Sequence, residues 1–306
     1  MASSPQIAAV SAPSPRHAPV TRVVLRHRWP LRVMHWINLA CMLAMVGSGL
    51  QIYNAHAALY WGETSHFETP LFATPAVPLV NGRLRGELRI GDARFNTTGV
   101  LGVSNDARGA QVRSGFPGWA TIPGSRNLAL GRRWHFFFAW AWVFNGACYL
   151  AWSLATRHLQ RDLHMPRRDW RAIPRSVADH LRFRHSRGAE ALRYNPLQKL
   201  AYLGVIFGLT PLVVITGLAM SPQMGSVLGW FLQLVGGRQS ARTLHFVAMA
   251  GFVLFTLVHM LMVVYAGPIN EMRSMITGRF KVREVAPAPM LTGHRDTRRE
   301  EHADGS

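Results

Sequence analysis

The sequence predicts an all-α membrane protein, a four-transmembrane-helix bundle with a large extracytoplasmic loop between helices 1 and 2. Four stretches of the 306-residue chain are apolar over the roughly 20 residues that a helix needs to cross a bilayer. Charged residues make up only 16% of the chain, against about 25% in ordinary globular proteins. The Lys and Arg residues behind the net charge of +19 flank these stretches.

Each predicted span is almost free of charge. Apart from Arg32 at the first boundary, the spans contain no Asp, Glu, Lys or Arg, and a soluble core helix is seldom uncharged on all sides over this length. Four buried helices of a large soluble core are the alternative. The predicted spans are Leu31–Tyr53, Trp134–Thr156, Leu200–Met220 and Thr243–Ala266.

The distribution of basic residues predicts the orientation. With the N-terminus inside, the inner segments carry 23 Lys and Arg residues and the outer segments 11. Because short cytoplasmic segments are enriched in these residues, we expect a multi-pass membrane protein with both termini in the cytoplasm. Arg132 and Arg133, next to the second span, lie on the outer side and depart from this rule.

The chain outside the spans contributes an arm, an insert and a tail. The predicted regions are a disordered cytoplasmic arm at 1–30, a four-helix domain at 31–266 that includes a periplasmic insert at 54–133, and a cytoplasmic tail at 267–306.

Three shorter segments have predictable structure. Polar and apolar residues alternate between glycines from Gly86 to Phe95, which predicts a strand or hairpin within the insert. Val227–Val235 is too short to cross the membrane and is expected at its interface. Val177–Phe183 is expected to form a helix on the inner surface.

Composition and motifs exclude several classes of function. Cys41 and Cys148 belong to no CxxC or CxxCH motif, so no thiol-redox pair and no covalently attached haem is encoded. The basic residues flank the spans, and no aromatic residues are interleaved with them as a platform for bases. This argues against nucleic-acid binding. Neither a Ser/His/Asp set, paired carboxylates nor a phosphate loop is recognisable, so substrate chemistry is expected on another chain.

Four of the 14 histidines lie inside the spans, where an ionisable residue usually has a function. His35 is predicted near the inner surface, and His135 and His245 near the outer surface. His259 follows His245 by 14 residues, or about 21 Å along a helix and about 40° short of four turns. These two therefore share one helix face at opposite depths.

The depths predict two pairs, His135 with His245 on the outer side and His35 with His259 on the inner side. Two imidazole pairs in a helical bundle are the ligands that two b-type haems need. A lone buried histidine is more often a packing residue. A zinc or proton-relay site is the rival interpretation, although zinc favours clustered histidines, Cys or carboxylates.

Haem also needs small residues for its ring and cations for its propionates. Glycines in the spans would let a flat macrocycle approach a helix backbone, and the candidates are Gly47, Gly49, Gly146 and Gly251. Arg32 on the inner side, and Arg132 and Arg133 on the outer side, are the propionate candidates.

Four sequence pieces carry a family resemblance. They are His35-Trp-Ile-Asn38, Arg133-Trp-His135, Tyr194-Asn-Pro-Leu-Gln-Lys199 and the His245 and His259 pair. Together they resemble the bacterial di-haem cytochrome b superfamily, which comprises the membrane subunits of nickel-iron hydrogenases, formate dehydrogenases and thiosulfate reductases and the cytochrome b-561 proteins. The resemblance covers residues 31–280 apart from the outer loop. It implies two haems b ligated by the four histidines, and respiratory electron exchange between membrane quinone and an extracytoplasmic subunit.

The resemblance also implies a quinone pocket near the inner haem, with Asn195 and Gln198 as candidates. Here Leu197 replaces the glycine that the family commonly has at this position. The alternative is that Asn195 caps a helix whose first turn holds Pro196.

The long outer loop resembles the thiosulfate-reductase-like branch of the family. We expect residues 62–130 to dock a periplasmic redox subunit, a molybdopterin oxidoreductase. The alternatives are a hydrogenase or formate dehydrogenase anchor subunit, a quinol oxidase that acts on a small oxidant without a partner, and a haem-free transporter or assembly protein whose histidines relay protons or bind metal.

Overall fold

The computed structural model describes residues 19–106, 108–124, 127–181 and 195–285. Long helices dominate this part of the chain. They are α1 (Trp29–Asn54), α2 (Leu128–Ala155), α5 (Pro196–Gly204), α6 (Thr210–Ala219) and α8 (Arg238–Ala266). A π-helical turn at Val205–Leu209 joins α5 and α6 into one continuous helix.

In the described part of the chain, three helices are long and apolar enough to cross a membrane: α1, α5 with α6, and α8. Only 6% of the most apolar stretch of α8 is buried inside the protein, so its surroundings must be apolar. The predicted second span, Trp134–Thr156, forms most of α2 but is not among the three. Its tryptophans carry a polar N–H that lowers its hydropathy, and the count of four spans stays a prediction.

The long helices pack mainly in two couples, α1 with α2 and α6 with α8. A buried amide links the first couple, because Asn145 Nδ2 donates to Asn38 Oδ1 at 2.8 Å and to the Met34 carbonyl at 3.0 Å. Hydrogen bonds between side chains hold helices together where no water competes. The asparagine of the His35-Trp-Ile-Asn38 motif therefore joins α1 to α2.

Short helices lie between and after the long ones. They are α3 (His158–Asp162), α4 (Arg167–Leu181), α7 (Gly225–Leu234) and α9 (Pro268–Thr277). The predicted interfacial segment Val227–Val235 coincides with α7. The predicted inner-surface helix at 177–183 forms the end of α4 as far as Leu181, and residues 182 and 183 lie outside the described residues.

The insert between α1 and α2 is built from β-strands, so the prediction of an all-α protein is wrong for this region. The strands are β2 (Ala58–Leu59), β3 (Phe72–Ala73), β4 (Ala76–Pro78), β5 (Leu84–Ile90), β6 (Ala93–Asn96), β7 (Gly102–Asn105) and β8 (Gln111–Ser114). The first five form one antiparallel sheet in the order β2-β3-β5-β4 with β6 beside β5, while β7 pairs with β8. The stretch from Gly86 to Phe95 contains the hairpin of β5 and β6, as the alternation predicts. The other strands are too short to leave a periodic pattern.

The arm and the tail form a second, smaller sheet. Strand β1 (Pro19–Leu25) pairs antiparallel with β9 (Arg279–Val285) over seven residue pairs. Arg26 reinforces this unit through a two-pronged ion pair with Glu271 at 2.9 and 3.0 Å and by stacking over Phe280. The expectation of a disordered arm is therefore wrong for residues 19–25, and residues 1–18 and 286–306 lie outside the described residues.

Candidate functional site

The outer pair, His135 on α2 and His245 on α8, has ring centroids 6.1 Å apart at an interplanar angle of 64°. Each Nδ1 faces a backbone carbonyl of a neighbouring helix, that of Met45 on α1 at 3.2 Å and that of Val213 on α6 at 3.0 Å. A carbonyl only accepts hydrogen bonds, so each Nδ1 carries the proton. Nε2 is then the nitrogen available to a metal ion.

A hydroxyl lies beside each of these Nδ1 atoms. Ser48 Oγ is 3.1 Å from Nδ1 of His135, and Thr216 Oγ1 is 3.1 Å from Nδ1 of His245. Both hydroxyls donate to the carbonyl four residues earlier, of Ala44 or Leu212, at 2.6 Å. Their oxygen atoms are therefore left to accept from the imidazoles.

A glycine follows each hydroxyl and gives the ring its space. A Cβ on Gly49 would lie 3.4 Å from Cε1 of His135, and one on Gly217 would lie 3.2 Å from Cε1 of His245. The roles of Ser48, Thr216 and Gly217 were not predicted from the sequence. The signal was a hydroxyl residue followed by glycine in two different spans, Met45-Val-Gly-Ser-Gly49 and Val213-Val-Ile-Thr-Gly217.

The inner pair, His35 on α1 and His259 on α8, has ring centroids 6.4 Å apart at an interplanar angle of 61°. His259 stacks on Phe255 one turn earlier. Nδ1 of His35 is buried and has no hydrogen-bond partner among the described residues. Beside it, Trp36 Nε1 donates to the Met275 carbonyl at 3.3 Å and ties α1 to α9.

Both pairs have the spacing that one shared metal ion would require. Metal–imidazole bonds are about 2 Å long, so two rings on opposite sides of one ion have nitrogens about 4 Å apart and centroids about 6 Å apart. Within the residues that the structure describes, no three His, Cys, Asp or Glu side chains group as a metal-ion site. The residues present fit a group that brings its own metal and needs two axial nitrogens, as haem does.

The predicted glycines differ in what surrounds them. Gly49 faces the outer pair, and a Cβ on Gly146 would meet nothing within 4 Å, so space for a flat ring is open there. A Cβ on Gly47 would lie 2.7 Å from Ile122, and one on Gly251 would lie 3.1 Å from Leu209. At Gly47 and Gly251 the absent side chain therefore makes room for a protein side chain.

The three propionate candidates lie at the ends of the spans. Arg32 donates from Nη1 to the Ile276 carbonyl at 2.7 Å, while its Nε is buried and has no hydrogen-bond partner in residues 19–285 as far as the structure describes them. Arg132 and Arg133 are exposed at the start of α2, and the Arg132 guanidinium lies 5.9 Å from the centre of the Phe136 ring. Neither forms an ion pair with a described residue.

Two further histidines flank the spans and are neutral at pH 7. Burial and the neighbouring Arg26 charge lower the pKa of His27, just before α1, to about 4. Burial, followed by the charge of Arg242, lowers the pKa of His56, just after α1. Neutral side chains here add no positive charge near either pair.

Asn195 and Gln198 form a reciprocal capping box at the start of α5. Asn195 Oδ1 accepts from the Leu197 backbone N–H at 3.1 Å, and the backbone N–H of Asn195 donates to Gln198 Oε1 at 3.2 Å. Ser176 on α4 also donates to Asn195 Oδ1. The oxygen atoms of both amides thus cap the N-terminus of α5, as the capping interpretation predicts.

Comparison with known proteins gives a family and two relatives. The chain matches the family described as prokaryotic cytochrome b561 over residues 26–278, which include both histidine pairs. It is 31% identical over 190 residues to a protein of Cupriavidus necator described as a Ni/Fe-hydrogenase B-type cytochrome subunit, a match covering 58% of this chain and 73% of that protein. It is 31% identical over 131 residues to an Azospira oryzae protein described as a protein-methionine-sulfoxide reductase subunit, YedZ1. This second match covers 43% of the chain and 63% of that relative, less than two thirds of its length. No solved structure matches the chain.

Proposed function

The chain belongs to the prokaryotic cytochrome b561 family, and on that premise we propose that it is a di-haem cytochrome b of the bacterial inner membrane that relays electrons between quinone and a periplasmic oxidoreductase. Membership of the family supports b-type haem and electron transfer. The observation that carries the proposal is that α8 contributes one histidine to each pair, 14 residues apart, with both pairs at the spacing for a shared iron.

The four histidines are the proposed axial ligands, His35 and His259 for the inner haem and His135 and His245 for the outer one. When bound, each haem supplies one-electron redox chemistry at its iron. The chain orients the outer imidazoles through their Nδ1 bonds, which would leave Nε2 to bind the iron. The surrounding apolar spans would limit the access of water to both pairs.

Charges at the span ends would hold the propionates. Arg32 is assigned to the inner haem, and its buried Nε, which bonds to no described residue, supports that role. Arg132 and Arg133 are assigned to the outer haem, because they are free of ion pairs with described residues and would otherwise be an unfavourable cluster on the periplasmic side.

The proposed quinone site lies near the inner haem and is bordered by Asn195 and Gln198. The cap uses the oxygen atoms of these two amides. The Asn195 amide nitrogen takes no part in the cap and is the group proposed to donate to a quinone oxygen. Lys199 fixes this corner through an ion pair with Asp169 at 2.9 Å, which joins α5 to α4.

The partner is proposed to dock on the insert at residues 62–130, above the outer haem. Both relatives are described as subunits of oxidoreductases, which supports a redox partner for this chain as well. The turn between β4 and β5 carries apolar side chains in an exposed position, with Val80 fully exposed and Leu79 partly so. We propose a molybdopterin oxidoreductase, and the Cupriavidus necator relative makes a hydrogenase the second candidate.

Haem content tests the proposal directly. We expect detergent-purified protein to contain two haems b per chain in a pyridine haemochrome assay, and His245→Ala and His259→Ala to lose one haem each. Haem absent from the wild-type protein, or unchanged in both variants, would overturn the proposal and favour a haem-free relay or transporter.

A further inference from the structure

We propose that Ser48 and Thr216 are positioning residues that lower the reduction potential of the outer haem by accepting hydrogen bonds from its two axial imidazoles. The inference rests on the proposed function, because it needs haem between His135 and His245. It extends that function by assigning a role to two hydroxyls in different spans.

The geometry occurs twice on separate helices. On α1, His135 is contacted by the carbonyl of Met45, the hydroxyl of Ser48 and the backbone at Gly49. On α6, His245 is contacted in the same order by Val213, Thr216 and Gly217. Ser48 and Thr216 are both fully buried. The same short pattern, a hydroxyl residue followed by glycine and leucine, thus places a carbonyl, a hydroxyl and a glycine around an imidazole on each of two separate helices.

The direction of each hydrogen bond follows from the hydroxyl's other contact. The single hydroxyl proton is used at 2.6 Å on a carbonyl of the same helix, that of Ala44 or Leu212. The oxygen can then only accept, and the imidazole N–H at 3.1 Å is the donor. Each Nδ1–H is thus shared between a carbonyl and a hydroxyl.

An acceptor at Nδ1–H makes the imidazole a more basic ligand. A more basic ligand stabilises ferric iron over ferrous iron, so each hydroxyl lowers the reduction potential. The inner pair differs, because Nδ1 of His35 is buried and has no hydrogen-bond partner in the described part of the chain. The effect of the hydroxyls is therefore confined to the outer haem.

The test is a redox titration followed by the visible spectrum of the purified full-length protein. The variants are Ser48→Ala, Thr216→Val and the double variant, with His259→Ala used to identify the component that belongs to the outer haem. We expect the midpoint potential of that component to rise in each single variant and to rise further in the double variant, while the other component stays in place.

Thr256→Val is the matched control. Its hydroxyl also donates to the carbonyl four residues earlier, at Phe252, but its further contact is Met42 Sδ and not a histidine. This variant should leave the outer component unchanged. Ser48→Thr and Thr216→Ser keep the hydroxyl and should keep the wild-type potential.

The outcomes separate this inference from the proposed function. Wild-type protein without haem would remove the proposed function itself. Two haems with an unmoved outer potential in the double variant would overturn the hydroxyl role alone. If Ser48→Ala or Thr216→Val releases haem, the variants that keep the hydroxyl provide the test. A wild-type outer potential in Ser48→Thr and Thr216→Ser would support the hydroxyl role, and a shifted potential would overturn it.

Discussion

At the scale of single residues, the tightest constraint on the outer pair is the absence of a side chain at position 217. A Cβ there would lie 3.2 Å from Cε1 of His245, closer than ordinary contact, whereas a Cβ at position 49 would lie 3.4 Å from Cε1 of His135. An added methyl in a packed site forces neighbours off their preferred positions. A methyl group at position 217 should therefore displace its neighbouring histidine more than a methyl group at position 49 does.

We predict that Gly217→Ala weakens retention of the outer haem more than Gly49→Ala does. The displaced imidazole of His245 would bind iron in a poorer geometry, and part of the protein should purify with one haem. Haem per chain and the amplitude of the outer component in a redox titration measure the effect. Equal retention in the two variants would show that this contact does not govern the position of the ring.

Functional residues can be predicted from the sequence when their side-chain chemistry is rare among the residues around them. Histidines in an apolar span stand out, and the four at positions 35, 135, 245 and 259 could be grouped by depth alone. Ser48 and Thr216 could not, because hydroxyl residues in spans commonly bond to their own helix. Their second partner is a ring on another helix, and only the three-dimensional structure brings the two together.

At the scale of elements, long helices were predictable and short strands were not. A run of 20 apolar residues admits few structures in a membrane, so the helices appear where the sequence predicts them and extend by up to six residues beyond the windows at their N-terminal ends. Strands β1 and β9 are far apart in sequence, and no local pattern predicts that Leu25 pairs with Arg279 in the strand register. Most of the sheet in the insert could not be predicted either, because two of its strands have only two residues and leave no alternating pattern.

The first residue of the α5 cap offers a prediction that separates two roles. Asn195→Ser keeps a good cap, whereas Asn195→Ala removes it and should destabilise the start of α5 by about 1 kcal/mol. We expect both variants to slow haem reduction by quinol, because each loses the amide nitrogen, and only Asn195→Ala to lower the thermal unfolding temperature. Quinol kinetics and a melting curve in detergent measure the two effects. Normal quinol kinetics in Asn195→Ser would remove Asn195 from the quinone site.

At the scale of the whole molecule, the small sheet of β1 and β9 brings the two arms of the chain to one side of the helices. That side also carries the four arginines of α4 and Arg273 of α9, while the insert covers the opposite end. The orientation predicted from the positive-inside rule would place this side in the cytoplasm and the folded cap in the periplasm.

The cap is fastened to the helices and is more than a docking surface. At the end of α1, the side-chain amide of Asn54 donates from Nδ2 to the Phe116 carbonyl at 2.9 Å and accepts at Oδ1 from the Phe116 backbone N–H at 2.6 Å. Ile122 packs against Gly47, seven residues deeper on α1, or about 10 Å along the helix axis. Deleting the insert would therefore remove packing around the outer pair, and surface substitutions are the cleaner way to test docking.

We predict that Val80→Asp weakens binding of the periplasmic partner about tenfold or more and leaves both haems in place. Val80 is fully exposed on the turn between β4 and β5, and burying such a side chain at an interface contributes about 1.5–3 kcal/mol, where 1.4 kcal/mol is a factor of ten. The charged substitute would also have to be desolvated. The dependence of haem reoxidation rate on partner concentration measures the affinity, and Val80→Thr, which keeps the volume without the charge, should lose far less. Full affinity in Val80→Asp would place the docking surface elsewhere on the cap, and loss of haem in that variant would mean that the turn supports the bundle instead.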